Sequence, residues 1–382
     1  MNHKLLLCLL ALLLSVLSSR LPADSVPQRT YTFALFMPRF AGDTFWDLLG
    51  AFMQAACADL GVELRIFYGH DNARRYQQLV KQSLSGAGRV DAVFFQNFKE
   101  TAPGLLQAAS RARVPALLID TGLNEKDRQR YGRPREHLRS WLGEFTPDNG
   151  EAGLDLALEL LRQARERGLH DRHGKIPLLA LAGETDLGSA SYPRVRGLQL
   201  ALRNQKDVIL TDIQPAFWND QQAAETLLSR QARYPVSPLI VWAANDPMAL
   251  GAVAAARQLK LRPGHELLAG GIDWTAEALA AIARGELAAS VGGHFMLGGW
   301  AAILVYDFLQ GIDFAEESTE MRLRMDLLTQ RNIGAYRRYF GAGDWSRIDF
   351  RRFSKSYTPG LKKYDFGLQA IMRQLPPTAP RH

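Results

Sequence analysis

Between residues 31 and 311 the chain keeps returning to one unit: a short apolar run of β character, a polar turn, then a segment with helical spacing. That alternation constrains the fold more than any single motif does. Strands with a helix between them cannot form hairpins, so they pair in parallel through right-handed crossovers. The pattern predicts strands over residues 31–37, 62–68, 90–95 and 114–119, with helices over 45–60, 73–84 and 102–112. Residues 122–140 are polar and arginine-rich without a period, and read as a surface loop before a short strand at 140–145. Beyond Pro147 the alternation starts afresh. Helices are predicted over 150–167, 192–204, 221–231 and 276–284, and strands over 177–182, 208–214, 239–242 and 266–272. Residues 314–328 read as a return to the second unit. Two α/β units of similar size, with loops at their strand ends facing each other, would enclose a cleft.

The stretch VWAANDPMALGA, residues 241–252, shows the unit most clearly. An apolar strand delivers Asn245 and Asp246, and Pro247 opens a helix of small residues. In an open α/β sheet the crevice lies beyond the carboxyl ends of the strands, so both polar residues stand where a ligand would sit. Asp246 has a second role open to it, capping the helix with Pro247 at the first position. We expect Asn245 to face the ligand and Asp246 to cap.

At the N-terminus, Lys4 precedes an apolar run over residues 5–17, broken only by Ser15, and small and polar residues follow through Ala23. That order is that of a secretory signal, and its apolar core is too short to span a bilayer. We expect a signal peptide within residues 1–23, cleaved after Ser18, Ser19 or Ala23, and a mature chain that resides in the periplasm. Cys8 would leave with the signal. Cys57 would then be the one cysteine of the mature chain, which permits no internal disulfide. The net charge of +7 over 382 residues is spread over isolated arginines, with no recognition-helix pattern. Nucleic acid is therefore not the expected partner.

No Walker loop, metal-spaced histidine pair or G-x-S-x-G elbow occurs, which shifts the reading from catalysis to binding, with no metal or cofactor expected. A sugar ring offers an apolar face and a belt of hydroxyls. Flat aromatic rings cover the former, and Asp, Asn and Arg exchange paired hydrogen bonds with the latter. Phe45, Trp46 and Trp218 follow predicted strands, as do Asp43, Asn97, Asp120, Arg194, Asn245 and Asp273. Singly, Phe45 and Trp46 read equally well as first-turn core residues, Arg194 as a surface arginine and Asp120 as a turn former. Nine residues in matching places favour a recognition cleft.

Four segments carry a resemblance. AANDPMALGAVAA, GGIDWTAEALAAIARGELAASV, PDNGEAG and RVRGLQLAL are similar to the strand-loop-helix, ligand-aspartate, crossover and arginine-helix segments of type 1 periplasmic binding proteins. The group is the ribose and galactose receptors, with the autoinducer-2 receptors among them, and the resemblance spans about residues 31–311. It implies two Rossmann-like lobes with parallel sheets, joined by three hinge crossovers near residues 145–148, 291–294 and 312–324. The implied N-terminal lobe is 29–145 plus 295–312, the C-terminal lobe 148–292 plus 325–330, and residues 331–382 form a C-terminal extension. The resemblance places Asp43, Phe45, Trp46, Asn97 and Asp120 as ligand contacts from the first lobe, and Arg194, Trp218, Asn245 and Asp273 as contacts from the second. Gly293 stands where the family usually carries a glutamine or arginine. His294 beside it would substitute if the backbone turns it inward. Asp43, Thr121 and Trp46 also depart from the ribose pattern, which argues against ribose itself.

The implied function is a monomeric, non-enzymatic receptor that closes on a monosaccharide or related polyol and hands it to an ABC permease. A membrane sensor kinase or cyclase is the alternative partner, and the aromatic-basic tail after Thr329 would then be a docking surface. A transcriptional repressor shares this fold, but a signal segment stands where its DNA-binding headpiece would be. An enzyme is the remaining alternative class.

Overall fold

The computed structural model describes residues 30–184, 189–233, 239–340 and 343–375. The expected signal segment, 1–23, lies outside the described residues.

The first half of the chain builds one sheet: β1 (Thr32–Met37), α1 (Thr44–Leu60), β2 (Glu63–Tyr68), α2 (Ala73–Gln82), β3 (Ala92–Phe95), α3 (Ala102–Ala112), β4 (Ala116–Ile119), α4 (Glu125–Tyr131) and β5 (Trp141–Pro147). The second runs α5 (Asn149–Glu166), β6 (Ile176–Ala182), α6 (Ser191–Leu202), β7 (Val208–Pro215), α7 (Asp220–Arg233), β8 (Ile240–Ala243), α8 (Asp246–Gln258), β9 (Leu268–Asp273), α9 (Ala276–Ala283) and β10 (Ala289–Gly292). There follow α10 (Leu297–Leu309), β11 (Glu320–Leu323), β12 (Asp326–Thr329), α11 (Ile333–Phe340) and α12 (Leu368–Gln374). The sheet orders are β11-β5-β4-β3-β1-β2 and β12-β10-β9-β8-β6-β7. Every pairing is parallel except that of β10 with β12. The central strands AVFF, ALLI and IVWA are buried throughout, as expected where helices cover both faces.

The chain returns to the first lobe in α10, which packs against α1. Glycine makes this approach possible. A Cβ on Gly298 would lie 2.7 Å from the Leu49 carbonyl oxygen, and one on Gly299 2.7 Å from the Phe52 ring. Cys57 is fully buried in α1 and unbridged.

Two expectations need correction. The segment read as a loop over 122–140 contains α4, started by Asn124, whose side chain accepts from the Asp127 amide. Residues 314–328, read as returning to the second lobe, divide: β11 joins the first sheet beside β5, and β12 joins the second beside β10. Four-residue edge strands carry too short a pattern to assign a sheet. The tail, for which a docking role was tied to the alternative sensor partner alone, packs its aromatic side chains into the core. Phe350 is wholly buried, and Tyr336, Trp345 and Phe353 nearly so. Its anchor is Asp307 of α10, a fully buried carboxylate that accepts from the Ser354 hydroxyl, the Lys355 and Ser356 amides, and the Tyr364 hydroxyl. Among the described residues no helix is long and apolar enough to cross a membrane.

Candidate functional site

All ten residues singled out from the sequence line one cavity of about 180 Å³ at the carboxyl ends of the strands of both sheets. In the first lobe, the loop after β1 is shaped by Asp43. One carboxylate oxygen accepts from the Phe45 and Trp46 amides, both at 3.1 Å, and caps α1. The other accepts from Arg39, whose guanidinium also holds both oxygens of Asp71 at 3.1 Å. The cap thereby fixes the two aromatic side chains at the cavity wall. Trp46 meets Phe45 edge-on, with centroids 5.1 Å apart. After β3, the Asn97 side-chain oxygen accepts from the Ala102 amide at 3.1 Å, while its side-chain nitrogen is buried with no partner among the described residues. After β4, Asp120 takes a left-handed φ of 64°, and burial raises its pKa above the usual carboxylate range.

The second lobe contributes a polar cluster built on Arg194 of α6. Its Nε donates to Asn149 at 2.7 Å and one terminal nitrogen donates to the Ala244 carbonyl at 2.6 Å. The same terminal nitrogen lies 3.6 Å from Asp273, and the other 3.3 Å from Nε2 of His294. His294 Nε2 is in turn 3.4 Å from Asp273. Gly293 adopts φ 95°, and this turns His294 into the cavity. Burial, reinforced by Arg194, pushes the His294 pKa down to about 3, so the ring is neutral. Arginine only donates, so we assign Nε2 as acceptor and place the ring hydrogen on Nδ1, which is buried with no partner among the described residues. Asp273 is shifted upward, by burial above all, with Arg194 opposing.

The capping role expected of Asp246 falls to Asn245. Asn245 is the cap, its side-chain oxygen accepting from Met248 at 3.0 Å, while its nitrogen reaches the Trp218 carbonyl at 3.4 Å. Asp246 is fully buried behind the cavity, accepting from the Thr275 amide at 2.9 Å and the Ser290 hydroxyl at 2.7 Å. The helix starts one residue earlier than the Asp-Pro pair suggests. Asn245 still lines the cavity, with one of its polar atoms committed to the helix.

Residues 33–313 match the family described as periplasmic binding protein domain. The chain belongs to that family. Among its relatives is the galactofuranose-binding protein YtfQ of Escherichia coli (strain K12), 24% identical over 234 residues, which are 60% of this chain and 67% of the relative. A periplasmic sugar-binding protein from Pseudomonas fluorescens has a solved structure that superposes with a TM-score of 0.79 at 31% identity, covering 90% of this chain and 100% of the other. The binding component of the arabinose ABC transporter from Shewanella sp. ANA-3, solved with α- and β-L-arabinofuranose, shares the fold at a TM-score of 0.67 and 21% identity, over 80% and 94% of the two chains.

The cavity of this periplasmic binding protein also has walls that reasoning on the sequence missed. Gln96, one residue before Asn97, lines it and has a buried side-chain nitrogen with no partner among the described residues. Lys99 lines the mouth, its backbone at φ 46° and its ammonium donating to the Asp71 carbonyl at 2.9 Å. The polar QNFKE run after a buried strand was a signal for both. Among the described residues no group of three or more His, Cys, Asp or Glu side chains is placed to hold a metal ion.

Proposed function

We propose that this binding protein is a periplasmic receptor for a neutral monosaccharide or polyol, and that it delivers the ligand to an ABC permease by closing its lobes. The observation that carries the reading is the lining of the cavity, where the rings of Phe45, Trp46 and Trp218 stand beside the polar side chains of Asn97, Asp120, Arg194, Asn245 and Asp273. Flat rings cover the apolar face of a sugar, and a polar group left unpaired as the lobes close costs about 1–3 kcal/mol, a cost that sugar hydroxyls relieve. Carboxylates of Asp43, Asp71, Asp120 and Asp273 line the same space beside Arg39, Lys99 and Arg194. That balance opposes an anionic ligand and suits hydroxyl groups, which both donate and accept.

The names of the Pseudomonas fluorescens and Escherichia coli relatives, a sugar-binding and a galactofuranose-binding protein, support the same class. The ligand contacts are the ten cavity residues, the receptor acts as a monomer, and it performs no chemistry on its cargo. A panel of pentoses, hexoses, inositols and their uronic acids, followed by thermal shift and by analysis of the recovered sugar, tests this. Stabilisation by a neutral sugar recovered unchanged is expected. Turnover of any compound, or response to the uronic acids alone, overturns it.

A further inference from the structure

We infer that Tyr336, in the extension that follows the second lobe, is a positioning residue for the cleft: its ring holds Trp274 in place, and with it the backbone that presents Asp273 and His294. The inference rests on the sugar-receptor reading of the cleft. Asp273 and Trp274 have φ values of 141° and 65°, both in the region that side-chain-bearing residues avoid. Such a backbone persists only where its surroundings over-determine it. Here the Trp274 indole provides the hold. It occupies the space beside two glycines of the crossover, where a Cβ on Gly292 would lie 2.4 Å from the ring and one on Gly293 3.3 Å. Its Nε1 donates to the Ser290 carbonyl at 3.1 Å. On another side the ring packs edge-on against Tyr336, with centroids 4.9 Å apart.

Tyr336 is itself fixed from the other lobe. It packs on Phe340 at 5.1 Å, and Phe340 approaches Trp345 at 6.1 Å. Trp345 packs on Phe295 at 5.2 Å and on Phe52 of α1 at 5.4 Å. Phe295 directly follows His294. The aromatic series thus begins behind Asp273 in the second lobe and ends behind His294 at the first. Both ligand-facing side chains are backed by the same extension.

The test uses the full chain with Tyr336→Leu, which keeps an apolar group but removes the ring, and Tyr336→Phe, which keeps the ring. Amide hydrogen exchange is followed at residues 273–275 and 292–294, and affinity is measured for whichever neutral sugar of the panel stabilises the unmodified protein. Tyr336→Leu is expected to speed exchange at both segments and weaken sugar binding about 3- to 30-fold, and Tyr336→Phe to restore both. Unchanged exchange in Tyr336→Leu overturns the inference, as does faster exchange with unchanged affinity, or a Tyr336→Phe variant no better than Tyr336→Leu. If no panel sugar binds the unmodified protein, the receptor reading fails, and the exchange comparison still decides whether Tyr336 holds this backbone.

Discussion

Phe45 lies face to face with His294, their ring centroids 4.5 Å apart and their planes 28° from parallel. Phe45 lies in the first turn of α1 and His294 just after β10, so the contact joins two elements of the cavity wall that are far apart in the chain. It also changes the role expected of Phe45. One face of its ring is covered by an imidazole, and Trp46 and Trp218 are left as the larger aromatic surfaces of the cavity.

The buried titratable groups predict how pH acts on that contact. Asp246 and Asp273 sit above the usual carboxylate range, mainly through burial, so the folded state binds more protons than the unfolded state as pH passes through the window up to about 7. Their contribution to stability therefore falls as pH rises. His294 is displaced the other way, from 6.5 to about 3, so it binds fewer protons when folded and its contribution rises over that interval. His294→Gln removes only the rising part. Unfolding free energies measured in urea between pH 4 and 6.5 should fall more steeply with pH in the variant, by up to about 1.4 kcal/mol per pH unit. A difference that is flat or of opposite sign would show that His294 is protonated in the native protein.

Gly293 predicts a coupled loss of stability and binding. Its φ of 95° disfavours any side chain, and a Cβ there would meet Met296 at 3.1 Å. Gly293→Ala should lower stability by about 1–3 kcal/mol and, by moving His294, weaken sugar binding. Thermal melts with and without the panel sugar check both parts, and an alanine variant with unaltered melting and affinity would contradict the proposed geometry.

Asp307 predicts what holds the extension. Asp307→Ala leaves the Ser354 hydroxyl, two backbone amides and the Tyr364 hydroxyl without their acceptor. The cost should be at least about 3 kcal/mol, with protease cleavage appearing first between residues 343 and 367. Cleavage that starts instead within residues 32–311 would mean that the extension is secured elsewhere.

Much of this was legible in the sequence, because the placement of a polar residue at a strand end depends on a local pattern. Asp120 and Asp273 each end an apolar run, and Asn97 follows one almost directly. Reading that pattern needs no knowledge of packing. Where the outcome turned on a single residue of register, local pattern did not suffice, as with Asn245 taking the cap that Asp246 was expected to supply. The burial of the tail was not legible for a different reason. Its aromatics are interleaved with arginines whose charged ends reach solvent, and Arg351 and Arg352 are exposed beside the buried Phe350 and Phe353. An amphipathic cover of this kind reads as surface until the helix beneath it is known. Gln96 was passed over because its neighbour Asn97 already satisfied the expected pattern.

Cys57 gives the molecule a practical property. Its thiol is fully enclosed in α1, and burial pushes its pKa well above the normal thiol range, so the reactive thiolate is suppressed in the folded chain. In a chain without residues 1–23, and so without Cys8, cysteines introduced at exposed points on the two lobes would be labelled selectively without first replacing Cys57. A dye or spin-label pair attached there would report lobe separation directly in the native sequence background.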